Sequence, residues 1–235
     1  MILYLSLGLC ATGAAYLVYR HDLYDREPWF LLLLTTALGA LAINVAGRLE
    51  EWTFASPRFS GTTAQAAAAA TYEELGKVAV VAGVMLFAPR WFNDPMDGIV
   101  YGSMSGLGMA IEESVASLRG LPHGALLPPE EVVRICGHLV MGGLGGFALG
   151  MAWLRRKGWP AAVLGGFLAA FTLHFGWDLL AASAEAHGPS LPRTLGRVAV
   201  MLAGLVAFGL LLELGSRWSR DLFAPTPVSA RTPEA

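Results

Sequence analysis

Apolar runs of about twenty residues recur along this chain of 235 residues, which is the length needed to cross a bilayer as helix. Seven can be drawn, at about 1–19, 28–46, 64–88, 95–118, 129–154, 160–184 and 192–214. Backbone groups in lipid must satisfy one another, so spanning segments are helices or closed barrels. The short alternating strands of a barrel are missing from these runs. The expected fold is therefore all-α, a polytopic transmembrane helical bundle of about seven spans. Only 14% of the residues are charged, against roughly 25% in soluble domains, and this agrees. Residues 1–221 read as one membrane-embedded domain and 222–235 as a disordered cytoplasmic tail. Residues 1–19 have no basic segment before them and end at Arg20, so they read as a first membrane helix rather than a cleaved signal.

A net charge of −2 and the lack of a basic, aromatic-interleaved patch exclude nucleic acid as a partner. Cys10 and Cys136 sit in apolar runs and read as buried small hydrophobes. One set of loops collects nine of the basic residues, including the compact run Arg155-Arg156-Lys157, and the other collects six. The positive-inside rule then places the N-terminus outside and the C-terminus in the cytoplasm. Glycines gather in the fourth to sixth spans: Gly102, Gly106, Gly108, Gly142, Gly143, Gly145, Gly146, Gly150, Gly165 and Gly166. Small residues at such spacing let helices approach closely, which predicts glycine-rich core helices. The same small residues point to a substrate entry between the fourth and sixth helices.

The third run carries Glu73, Glu74 and Lys77 at its middle. Each such charge costs roughly 2.5–3.5 kcal/mol to insert, so a function for them is the default hypothesis. Lys77 lies one helical turn from both glutamates and can partner either. Counting from the same end of each span at about 1.5 Å per residue, Glu73, Glu74, Glu113, His138, His174 and Asp178 all fall roughly 8–15 Å below one surface. Singly, each has a structural explanation: an ion pair, an interfacial acid, a packed histidine. Together they place four spans' worth of ionisable groups at one depth.

Carboxylates and histidines in a dry pocket suit the activation of water. A buried glutamate can serve as general base, with a second ionisable group stabilising the oxyanion or protonating the leaving amine. Glu73 or Glu74 is the candidate base, with Glu74 preferred. His138 and His174, with Glu113 or Asp178, alternatively make the three-ligand set of a hydrolytic zinc site. No H-E-x-x-H motif is present. Intramembrane acid and histidine chains also build proton relays, so a proton-coupled transporter is an alternative, and a non-catalytic membrane scaffold is another.

The motifs and their order resemble the PrsW family of intramembrane proteases, which is similar to the CAAX prenyl protease and Abi group. Asp22 to Pro28 is similar to the family's acidic Glu-Pro segment, and Glu73-Glu74-Leu75-Gly76-Lys77 matches its E-E-x-x-K. Asp94-Pro95-Met96-Asp97-Gly98 opens a D-P-x-D-G run, and Gly106 to Ser114 lies over a G-x-G-F-A-x-x-E-N run. His138 and His174-Phe175-Gly176-Trp177-Asp178 complete the series. Met109 stands where the family has Phe, and Ser114 where it has Asn. The resemblance implies an intramembrane endopeptidase in a bacterial plasma membrane, acting on single-span or membrane-associated protein substrates. It implies either a metal, zinc being the candidate, or a glutamate-activated water.

Overall fold

The computed structural model describes residues 1–122, 124–155, 157–188 and 190–223. They form seven α-helices: α1 (Ile2–Tyr19), α2 (Trp29–Phe54), α3 (Thr62–Phe87), α4 (Pro95–Leu118), α5 (Pro129–Trp153), α6 (Trp159–His187) and α7 (Leu191–Phe223). Short 3₁₀ turns at Pro57–Phe59 and Pro89–Trp91 lead into α3 and α4. Five of the helices, α1, α2, α5, α6 and α7, are long and apolar enough to cross a membrane. The other two carry the charges: Glu73, Glu74 and Lys77 on α3, and Asp97, Glu112 and Glu113 on α4. Large apolar side chains such as Leu5, Leu33, Leu41, Leu168, Leu202 and Leu210 are exposed on the outside of the bundle. Such a surface belongs in lipid, and the protein is an integral membrane protein.

Helix α4 is the central element. Every residue from Pro95 to Ala110 is buried, and α4 packs against α1, α2, α3, α5 and α7. Its start is fixed locally by a capping box. Asp94 Oδ1 accepts from the backbone N–H of Met96 at 2.5 Å and of Asp97 at 3.2 Å, while Asp97 Oδ2 accepts from those of Asn93 and Asp94. Pro95 occupies the first helical turn, where its missing N–H is no loss. One face of α4 then meets α5 backbone to backbone. A methyl group added at Gly98, Gly102 or Gly106 would overlap the carbonyl of Gly146, Gly142 or His138 respectively. Gly39 of α2 meets the Ser105 carbonyl in the same way, whereas Gly165 on α6 faces open space.

Helix α2 runs eight residues beyond the apolar run that marks it, to Phe54 rather than 46. Helix α5 packs on both α4 and α6, the two helices between which substrate entry is expected. The expected tail begins too early at 222, since Leu222 and Phe223 complete α7. The remainder of that segment, 224–235, lies outside the described residues.

Candidate metal and catalytic site

Helices α3, α5 and α6 each contribute one residue to a buried triad, Glu73, His138 and His174. One ligand atom from each lies within 4.8 Å of the other two. The rotation of α3 about its axis decides which glutamate of the pair joins it. Adjacent residues on a helix point about 100° apart. Glu74 is turned towards Lys77 and the outer edge of His174, and its Oε1 accepts from Lys77 Nζ at 2.5 Å. Glu73 is turned towards the histidines, and its Oε2 lies 3.7 Å from His138 Nδ1 and 3.6 Å from His174 Nε2. The rings of the two histidines meet edge-on, with centroids 5.3 Å apart.

Each imidazole has one nitrogen on a carboxylate outside the triad. His174 Nδ1 is 2.7 Å from Glu74 Oε1, and His138 Nε2 is 2.9 Å from Glu113 Oε2. Glu74 already accepts from Lys77, so His174 Nδ1–H is the donor in that contact. The proton on Nδ1 leaves the Nε2 lone pair facing Glu73. His138 Nε2 faces Glu113 Oε2 as an ion-pair contact, and a proton on that nitrogen leaves the Nδ1 lone pair facing inward. Glu73 Oε2 and His138 Nδ1 are both buried with no hydrogen-bond partner. Two imidazole nitrogens and one carboxylate oxygen thus converge, two of those three atoms unsatisfied, with carboxylates behind both rings. That donor set suits a divalent metal ion, and carboxylates behind the rings are the kind of support that orients metal-binding histidines. The residues fit a metal ion.

The triad opens on a cavity of about 340 Å³. Glu50, Glu113, Arg134, Trp177 and Asp178 also line it, and α7 contributes Val200, Met201 and Gly204. Asp178, one turn after His174, places Oδ2 3.4 Å from His174 Nε2 and remains part-exposed to the cavity.

Glu73, Glu113, His138, His174 and Asp178 therefore meet, as a shared depth predicts. Glu74 and Lys77 are buried behind the triad and do not line the cavity. The preference for Glu74 as base does not fit this placement, because its Oε1 is held by Lys77 and His174. The third donor beside the histidines is Glu73, rather than Glu113 or Asp178. Glu112 has no place in the cavity, and Ser114 is buried on α4 away from it. Sequence reasoning missed Glu50, whose buried Oε1 is also unpartnered. Its signal was a carboxylate on the helical extension of an apolar run drawn to end four residues earlier.

A membrane-embedded helical bundle with two histidines and a glutamate converging on a cavity is the class of protein that can hold a metal ion within the bilayer. Residues 27–211 match the model of the PrsW family of intramembrane metalloproteases, and the chain belongs to that family. It is accordingly a protease, and the transporter and scaffold alternatives are set aside. No curated protein and no solved structure matches the chain.

Proposed function

We propose that this protein cleaves peptide bonds of single-span or otherwise membrane-associated proteins, with zinc held by Glu73, His138 and His174. The observation that carries the reading is the convergence of the two inward histidine nitrogens on Glu73 Oε2, with Glu74 and Glu113 behind the rings. When bound, zinc supplies Lewis-acid polarisation of the scissile carbonyl and lowers the pKa of water. The protein's own groups do the rest. Asp178 Oδ2, beside His174 Nε2 and open to the cavity, takes the proton of the attacking water and passes it to the leaving amine. Glu74 and Glu113 hold the imidazoles in the required tautomers. Glu50 stands across the cavity as a second carboxylate for proton transfer.

All seven helices span the membrane in this reading, with the close α4–α5 glycine contacts at the core of a single domain. The N-terminus lies outside and the C-terminus in the cytoplasm of a bacterial cell. The charged groups Glu73, Glu74, Lys77 and Asp97 are buried against neighbouring helices, which is how α3 and α4 carry charge within the bilayer.

The test is metal analysis of the purified protein beside cleavage of a co-expressed single-span substrate. One zinc per chain is expected, lost together with cleavage in Glu73→Gln and His174→Ala at unchanged protein levels. Cleavage that persists in His174→Ala, or in metal-free protein, would sink the proposal.

A further inference from the structure

Beside the catalytic cavity lies a groove that ends at an arginine with no hydrogen-bond partner among the described residues. A second hollow, of about 240 Å³, lies between α5, α6 and α7. It shares Val133, Trp177 and Met201 with the cavity around the triad, so the two adjoin. Its walls are otherwise apolar, from Val198 and Leu202, apart from Thr194 and Arg197. The Arg197 guanidinium stacks on Trp177 at 4.3 Å from the ring centroid. Stacking occupies the flat face of the guanidinium and leaves its in-plane N–H donors for another group. Arg197 Nε is buried and has no hydrogen-bond partner.

Two neighbouring arginines on the same helices, Arg134 of α5 and Arg193 of α7, are engaged. Arg134 donates to Glu131 and to Ser117 Oγ, and Arg193 donates to Ser183, Gly188 and Ser190. Among the described residues, Arg197 makes no ion pair with a carboxylate. A cation held rigidly in an apolar groove, its donors unspent, is complementary to a carboxylate, which an arginine binds with paired, charge-assisted hydrogen bonds. A polypeptide lying across the triad can reach this groove past Trp177 and Met201, which line both hollows.

The geometry points to Arg197, stacked on Trp177, as a specificity determinant that binds an Asp or Glu side chain of the substrate close to the scissile bond. The assignment rests on the proteolytic reading of the adjoining cavity. It also places substrate entry between α5 and α7.

The experiment uses full-length protein carrying Glu73→Gln, in phosphatidylcholine nanodiscs, and fluorescent single-span peptides with amidated C-termini. The peptides differ only in having Asp, Asn or Lys at one position, scanned along the segment flanking the membrane boundary. At one or two adjacent positions, Asp should bind about tenfold more tightly than Asn. Arg197→Glu should reverse the order so that Lys binds best, and Arg197→Lys should keep the order with a smaller ratio. The Asp-to-Asn comparison needs no change at Arg197, so misfolding of a variant leaves it intact. Equal binding of the three peptides at every position, no binding at any position, or an acid preference that survives Arg197→Glu would each overturn the assignment. A parallel cleavage assay on the zinc-loaded protein with Glu73 restored separates the two claims. Selective binding without cleavage defeats the hydrolytic reading alone, and cleavage without acid preference defeats this inference alone.

Discussion

Replacing Lys77 by Met removes the cation from a fully buried pair and leaves Glu74 to be held by His174 alone. The Lys77 and Glu74 side chains are 1% and 2% exposed, and their charged atoms lie 2.5 Å apart. At an effective dielectric of 20, that separation corresponds to an attraction of about 7 kcal/mol, set against several kcal/mol of desolvation for each ion. Deleting one partner of a buried pair costs about 3–5 kcal/mol, because the other charge stays behind. Here the same Glu74 oxygen also accepts from His174 Nδ1 at 2.7 Å. A hydrogen bond to a charged group is worth about 1.5–3 kcal/mol, so the loss should fall at the lower end, about 3 kcal/mol. The double variant Lys77→Met/Glu74→Gln removes the stranded charge and should recover about half of it. Equilibrium unfolding in mixed detergent micelles, with the four proteins of the cycle side by side, measures both quantities. A loss below about 1 kcal/mol in Lys77→Met, or a double variant less stable than the single one, would refute the argument.

Three further outcomes follow from the same coordinates. Glu113→Gln leaves His138 without its carboxylate support and should weaken zinc binding about 10–100-fold in a chelator competition, with the fold retained. Gly102→Val forces a side chain into the Gly142 carbonyl and should cost more than the roughly 1–3 kcal/mol of ordinary overpacking, read as a lowered unfolding midpoint, because a backbone cannot move aside as a side chain does. In the α1–α2 loop, burial pushes Asp22 up to about 7 and Glu27 likewise. The folded state then holds more protons than the unfolded one between about pH 4 and pH 7, so stability falls as pH rises through that window and levels off above it. Asp22→Asn can still accept from the Glu27 N–H, as Asp22 Oδ2 does at 3.1 Å, and should flatten the profile, raising the unfolding midpoint at pH 8 more than at pH 5.

Hydropathy and helical period are local properties, and by themselves they determined much of this protein. The length of each apolar run, the proline at the head of α4 and the i,i+4 spacing of His174 and Asp178 are all present in the chain before it folds. They were enough for seven helices, and for carboxylates and histidines at one depth, because a bilayer sets span length and makes each buried charge conspicuous. The ends of α2 and α7 were less legible, since helices continue past the apolar stretch once polar residues can reach an interface or a neighbour. Glu50 was lost for that reason. What only the tertiary structure decided is direction. Whether Glu73 or Glu74 meets the histidines depends on how α3 is rotated about its axis. That rotation is set by packing against α5 and α6 and by the Lys77–Glu74 pair, none of which residue spacing contains. The packing of α5 on both α4 and α6 is likewise a matter of which faces fit together. Glycines permit such an approach on any helix that bears them, and only the assembled bundle selects which one is used.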